Sequence, residues 1–363
     1  MYRPTTKNEW WFCGTLLLQA LLVIILEIFI LVQWQSWVNP NIIQITPSYV
    51  VPVGMGIVVF ACIYEVILSI NAIHHNNNIS LLAVCLTNVC IVVYAVMQYI
   101  KMREVTDSLQ GTADGMGNPL VDWSRDIWPS MRPAEFAIPA VLTISSLVII
   151  PAAYRLHKDY AWAIYKRIHG SPELRLRYLA YEIYLVLIKF DFFFLTGFII
   201  QYDLIDVHFA EPEYSLTMAL IPASLLVMVA GIYCVKSGLR VAMMVVIVSL
   251  PSYRQVPLTD NEKVCFLGSI AYLLSRIVVL CGNSQRAHTV GREMMLFFAV
   301  VALVLIVMTV GCAVQCIFNL SYGLQVGRPD SRWPQSSHAF QTLDAPMSPS
   351  IQDTRYHRRL SLD

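Results

Sequence analysis

Charge or amide chemistry enters aliphatic and aromatic surroundings at Glu27, Glu65, Asn88, Lys189, Asp191 and Arg276. The densest setting is YLVLIKFDFFFLTGFIIQY, Tyr184 to Tyr202, where Lys189 and Asp191 interrupt a run long enough to cross a bilayer as a helix. Its apolar residues each gain roughly 0.3 to 0.6 kcal/mol on insertion, whereas a central Lys or Asp costs about 2.5 to 3.5 kcal/mol. These sums nearly cancel, so the segment needs polar partners on neighbouring helices and reads as the inward-facing member of a bundle. Residues two apart lie about 200° apart around a helix, so Lys189 and Asp191 cannot pair with each other. Matched by depth, Glu65 is expected to meet Lys189, Asn88 to meet Asp191, and Glu27 to meet Arg276. Such a network serves either an ion or proton pathway or the interhelical pairing that fixes a bundle. No repeat or filter-like loop reinforces the pathway.

Other chemistry is scarce. H-E-x-x-H, G-x-S-x-G, D-H-H-C and G-x-x-x-x-G-K-[ST] patterns are absent, so no enzymatic activity and no cofactor are expected. His74 and His75 are adjacent and point apart on a helix, a poor start for a metal site. Nine cysteines lie in or beside apolar runs; Cys312 and Cys316, one turn apart, read as small buried thiols and not as metal ligands.

The elements that must position these residues are transmembrane helices. With 57% hydrophobic and 13% charged residues, the chain is far more apolar than a soluble domain, in which charged residues are about a quarter. The expected fold is all-α, a polytopic bundle of about eight spans within residues 1–325. The spans lie near 12–33, 49–71, 80–100, 136–156, 184–202, 215–235, 241–250 plus 269–280, and 292–318. The seventh is split by an 18-residue, largely polar segment with two prolines, 251–268. Trp34 and Trp37 are expected in a loop at headgroup level, and 101–135 as the longest internal loop. Residues 326–363 form a Pro/Ser-rich tail expected to be disordered, and its R-R-x-S sequence makes Ser361 a candidate phosphosite.

Lys and Arg distribution places both termini in the cytosol. Six basic residues join spans four and five, and Lys158, Lys166, Arg167, Arg175 and Arg177 are expected to lie against anionic lipid. The alternative is that the two spans simply extend past the headgroups. No basic stripe interleaved with aromatics indicates a nucleic-acid partner.

Several stretches, YRPTTKNEWWF at the start, LEIFILV at 26–32, IYEVIL at 63–68, VYAVMQ at 93–98, KFDFFFLTGFIIQY at 189–202 and NLSYGLQ at 319–325, together resemble a family of uncharacterised fungal multi-pass Golgi apparatus membrane proteins. The resemblance covers nearly all of the chain except the tail, and the Lys-Phe-Asp-aromatic run is its most specific part. It implies a Golgi membrane location and a fungal source, and no activity. In the proteins it resembles, MMVVIVSL continues directly into a stretch like IAYLLSRIVVL. Our hypothesis is that 251–268 is a retained intron translated in frame, which transcripts that always include the segment would refute.

Overall fold

The computed structural model describes residues 6–38, 46–111, 113, 119–167, 172–207, 213–237, 243, 266–282 and 291–321. Among them the helices are α1 (Lys7–Trp37), α2 (Thr46–His75), α3 (Asn78–Leu109), α4 (Trp128–Arg167), α5 (Pro172–Gln201), α6 (Glu213–Lys236), α7 (Phe266–Cys281) and α8 (Arg292–Ser321). Seven are long and apolar enough to cross a membrane, and α7 is a shorter apolar helix. The all-α polytopic bundle is therefore the observed architecture. The first piece of the seventh span, apart from Met243, and the insert as far as Cys265 lie outside the described residues, as do the tail and Ser361.

Local sequence sets the helix ends. Thr6 caps α1 and forms a capping box with Glu9, each accepting from the other's backbone N–H at 3.3 Å. Tyr160 of α4 also donates to Glu9, at 3.0 Å. Asn77 caps α3, accepting from the N–H groups of Ile79 (2.8 Å) and Ser80 (3.1 Å), and Asn76 takes the left-handed conformation that closes the α2–α3 turn. Proline interrupts helix interiors at Pro52, Pro133, Pro139, Pro151 and Pro222, which membrane helices tolerate when neighbouring groups re-satisfy the backbone.

The first four helices close a ring in which α1 packs on α2 and α4, and α3 packs on the same two. Beside it α5 packs against α6 and α8, with α2 and α3 on its other side, while α7 leans on α8. Seventy-two per cent of the apolar stretch of α5 is buried, against 56% for α2 and 22% for α6, so α5 is the central helix. Its Phe193, Phe194 and Phe198 fill the interior, with Phe193 stacked on Tyr64 of α2 at 5.1 Å. Lipid-facing positions are equally apolar: Leu17, Leu18, Leu21, Ile25 and Ile28 of α1 are exposed, while Leu16, Ala20, Val23 and Ile30 face inward.

Two sequence expectations need correction. Trp34 and Trp37 belong to α1 and are buried, not placed in a headgroup loop. The Trp37 indole donates to the carbonyls of Asp122 and Arg125, both at 3.1 Å, because the α3–α4 connection folds back over the end of α1. Arg125 adds a bond to Gln33 at 3.1 Å. The connection is also shorter than expected, since Lys101–Leu109 continues α3 and Trp128–Glu135 opens α4. At the basic segment α4 runs on to Arg167 and α5 begins at Pro172, the continuation that the alternative reading of these residues describes.

Within the connection, the Ser124 N–H and hydroxyl both donate to Asp122, holding that exposed carboxyl below the usual carboxylate range. Trp37→Phe, which deletes the N–H and puts a smaller ring in this buried place, should loosen this clamp by at least about 1 kcal/mol. Limited proteolysis within 119–127 should then accelerate roughly fivefold. An unchanged cleavage rate would show that the indole does not hold the loop.

Candidate functional site: a buried polar interior

Four helices each contribute one residue to a hydrogen-bonded cluster in the first ring. Gln19 of α1 donates to Glu65 of α2 at 3.2 Å. Asn88 of α3 donates to the same carboxylate oxygen at 3.2 Å and to the Gln19 carbonyl at 3.0 Å. Ser146 of α4 donates to the Asn88 carbonyl and shares its proton with the Leu142 carbonyl at 2.9 Å. Gln19, Glu65 and Asn88 are each 1% exposed. The cluster comes together because these positions fall on the inner faces of their helices, among residues spaced three and four apart.

Further along α1 lies a second group. Gln98 of α3 donates to Glu27 at 3.4 Å, and Glu135 of α4 is close enough to act on Glu27 electrostatically. One oxygen of each of Glu27, Gln98 and Glu135 is buried with no partner among the described residues. Gln201 of α5 donates to the Tyr94 hydroxyl at 2.8 Å, and both Tyr94 and Gln98 approach Gly54.

The pairings expected from depth do not form, and the reasons are geometric. Glu65 turns into the α1–α4 ring, away from α5, and is satisfied by amides in place of Lys189. The half-buried Lys189 has Lys236, at the end of α6, as its charged neighbour, and its backbone carbonyl accepts from Tyr64 at 2.7 Å. Asn88 is engaged by Gln19, Glu65 and Ser146, so it does not reach Asp191, which lies toward Thr309 of α8. Arg276 belongs to the α5, α7 and α8 side of the molecule, remote from α1. It donates to the Tyr202 hydroxyl at 2.9 Å and stacks over the rings of Tyr202 (4.8 Å) and Tyr272 (5.3 Å). Tyr202 opens a π-helical turn, Tyr202–Val207, in which the buried Asp203 accepts from Thr217.

Depth matching missed Gln19, Gln98, Glu135, Ser146 and Gln201. Gln19 and Gln98 had a readable signal, since each is an amide inside an apolar span. Glu135 was concealed by its assignment to a loop. Among the described residues no group of three or more His, Cys, Asp or Glu is placed to hold a metal, and the two ion-paired clusters, Lys101 with Glu104 and Glu293 and Arg103 with Asp107, sit near helix ends.

A bundle whose spans bury amides and carboxyls inward and present leucine and isoleucine outward is that of a multi-pass integral membrane protein. The comparison with known proteins agrees with the resemblance seen in the sequence. The chain is similar to a UPF0658 Golgi apparatus membrane protein of Schizosaccharomyces pombe, 22% identical over 333 residues that cover 88% of this chain and 89% of that one. No protein-family model matches the chain. No solved structure matches it either.

Proposed function

We propose that this chain is a Golgi membrane protein with both termini in the cytosol, acting as a structural or trafficking component and not as an enzyme. The similarity to the fission-yeast Golgi protein supports the location. The observation that carries the role is the Gln19–Glu65–Asn88–Ser146 cluster, in which polar side chains of four helices bond one another instead of lining an open path. Two cavities in the membrane region are only about the size of one water, the one at Ile57 and Phe298 being lined by apolar surface, and Lys189 lines neither. Partner binding falls to the basic segment where α4 ends and α5 begins, and to the tail. Lys158 is exposed there, with its ammonium 4.6 Å from the Tyr154 ring, a posture suited to anionic headgroups.

A second reading, a proton- or ion-coupled carrier, is favoured by the buried acids Glu27, Glu135 and Asp191, whose oxygens lack partners among the described residues. One experiment separates the two. Cells lacking the protein are scored for the position of tagged Golgi residents and for Golgi lumenal pH immediately after depletion. The scaffold reading expects residents to disperse while pH holds. An immediate pH change with residents in place would overturn it and support the carrier.

A further inference from the structure

Asp191 sits where α5 meets α6, α7 and α8. Its side chain is 4% exposed, and neither carboxylate oxygen has a hydrogen-bond partner among the described residues. It faces a pocket about the size of one water, shared with Ser224 of α6 and Ser269 of α7 among Ile188, Leu195 and Val227. A hydroxyl has one proton to give. Ser224 gives its proton to the Ile221 carbonyl at 2.7 Å, and Thr309, next to Asp191, gives its own to the Leu305 carbonyl at 3.0 Å. Ser224 therefore offers lone pairs to the space beside the carboxylate, and Thr309 does the same while its proton stays on Leu305.

Among the described residues no cationic side chain faces the carboxylate. Tyr64, the titratable neighbour from α2, donates to the Lys189 carbonyl. Tyr184, the neighbour within α5, has a buried hydroxyl without a bonding partner among the described residues, and it lies toward Gly231. Lys189 projects from the opposite side of α5. A water could donate here, but it would leave a full negative charge in an apolar interior, which is costly without an opposite charge. A carboxylate with hydroxyl lone pairs is a hard, all-oxygen ligand set, and a single negative charge matches a single positive one.

We propose that Asp191, with the hydroxyls of Ser224, Ser269 and Thr309, binds one sodium-sized monovalent cation that ties α5 to α6, α7 and α8. The inference goes beyond the scaffold reading and stands whatever the cellular role. The test is thermal unfolding of the purified full-length protein in lipid nanodiscs, titrated with sodium chloride against choline chloride at constant ionic strength. Sodium should raise the midpoint saturably, by about 5 °C at a hundredfold excess over half-saturation, while choline leaves it unchanged. Asp191→Asn, close in size and uncharged, should abolish the sodium response, and Ser224→Ala should raise the half-saturating concentration about tenfold. If Asp191→Asn fails to accumulate, Ser224→Ala and Thr309→Val carry the test. Equal midpoints in sodium and choline, or a full sodium response in Asp191→Asn, overturn the proposal. So does a midpoint that follows pH but not sodium, which would assign the position to a proton.

Discussion

Gly197→Leu should leave almost no folded protein in the membrane. A Cβ at Gly197 would stand 2.5 Å from Cε1 and 2.8 Å from Cδ1 of Phe298, where α5 crosses α8. The ring cannot step aside. It is 3% exposed and packed at centroid distances of 5.2 Å from Tyr94, 5.6 Å from Phe194 and 5.8 Å from Phe297. Alanine should already cost about 1 to 3 kcal/mol through overpacking, and leucine more than about 4 kcal/mol because the helices must separate. Gly14, whose Cβ would meet nothing within 4 Å, is the control, and Gly14→Leu should be silent. Monodisperse yield and unfolding midpoint read both. Phe298→Leu combined with Gly197→Ala should recover part of the loss, since the smaller side chain vacates the clash. Normal yield of Gly197→Leu would mean that α5 and α8 do not cross here.

The second large effect is expected at Asn88. Leucine at this position removes two donated bonds and one accepted bond at once, leaving Gln19 and Ser146 with fewer buried partners and Glu65 with only the Gln19 amide. Interhelical hydrogen bonds in membranes average about 0.6 kcal/mol each, so Asn88→Leu should cost roughly 2 to 3 kcal/mol once the stranded groups are included. Glu65→Gln should cost under about 1 kcal/mol, because the amide carbonyl can accept the bonds that reach Glu65 from Gln19 and Asn88. Abundance and thermal midpoint of the two variants should therefore separate clearly. Equal losses would indicate that the charge of Glu65, and not its acceptor geometry, holds the ring.

The amino-acid sequence makes the helices plain, because runs of twenty or more apolar residues have no other use in a chain of this composition. The central place of α5 is legible too, since a span carrying Lys189 and Asp191 is stable only when surrounded by protein. Partner choice is a different matter. Lipid and protein interior are equally apolar, so the outer Leu21 and inner Val23 of α1 look alike in sequence and reveal nothing about helix rotation. Depth alone therefore matched Glu65 to Lys189 when rotation turned it toward Gln19 and Asn88. The buried Trp37 illustrates the same gap, because its partners, the Asp122 and Arg125 carbonyls, are backbone groups that no side-chain pattern announces.

The buried polar side chains of α1 to α4 bond one another and thereby lock the ring. A double-mutant cycle on Glu65→Leu and Asn88→Leu, measured as unfolding free energy in bilayer mimetics, tests it most directly. Mutual bonding predicts that the double variant is more stable than the sum of the single losses implies, with a coupling of at least about 0.5 kcal/mol. Additivity within about 0.3 kcal/mol would contradict it and separate the two side chains.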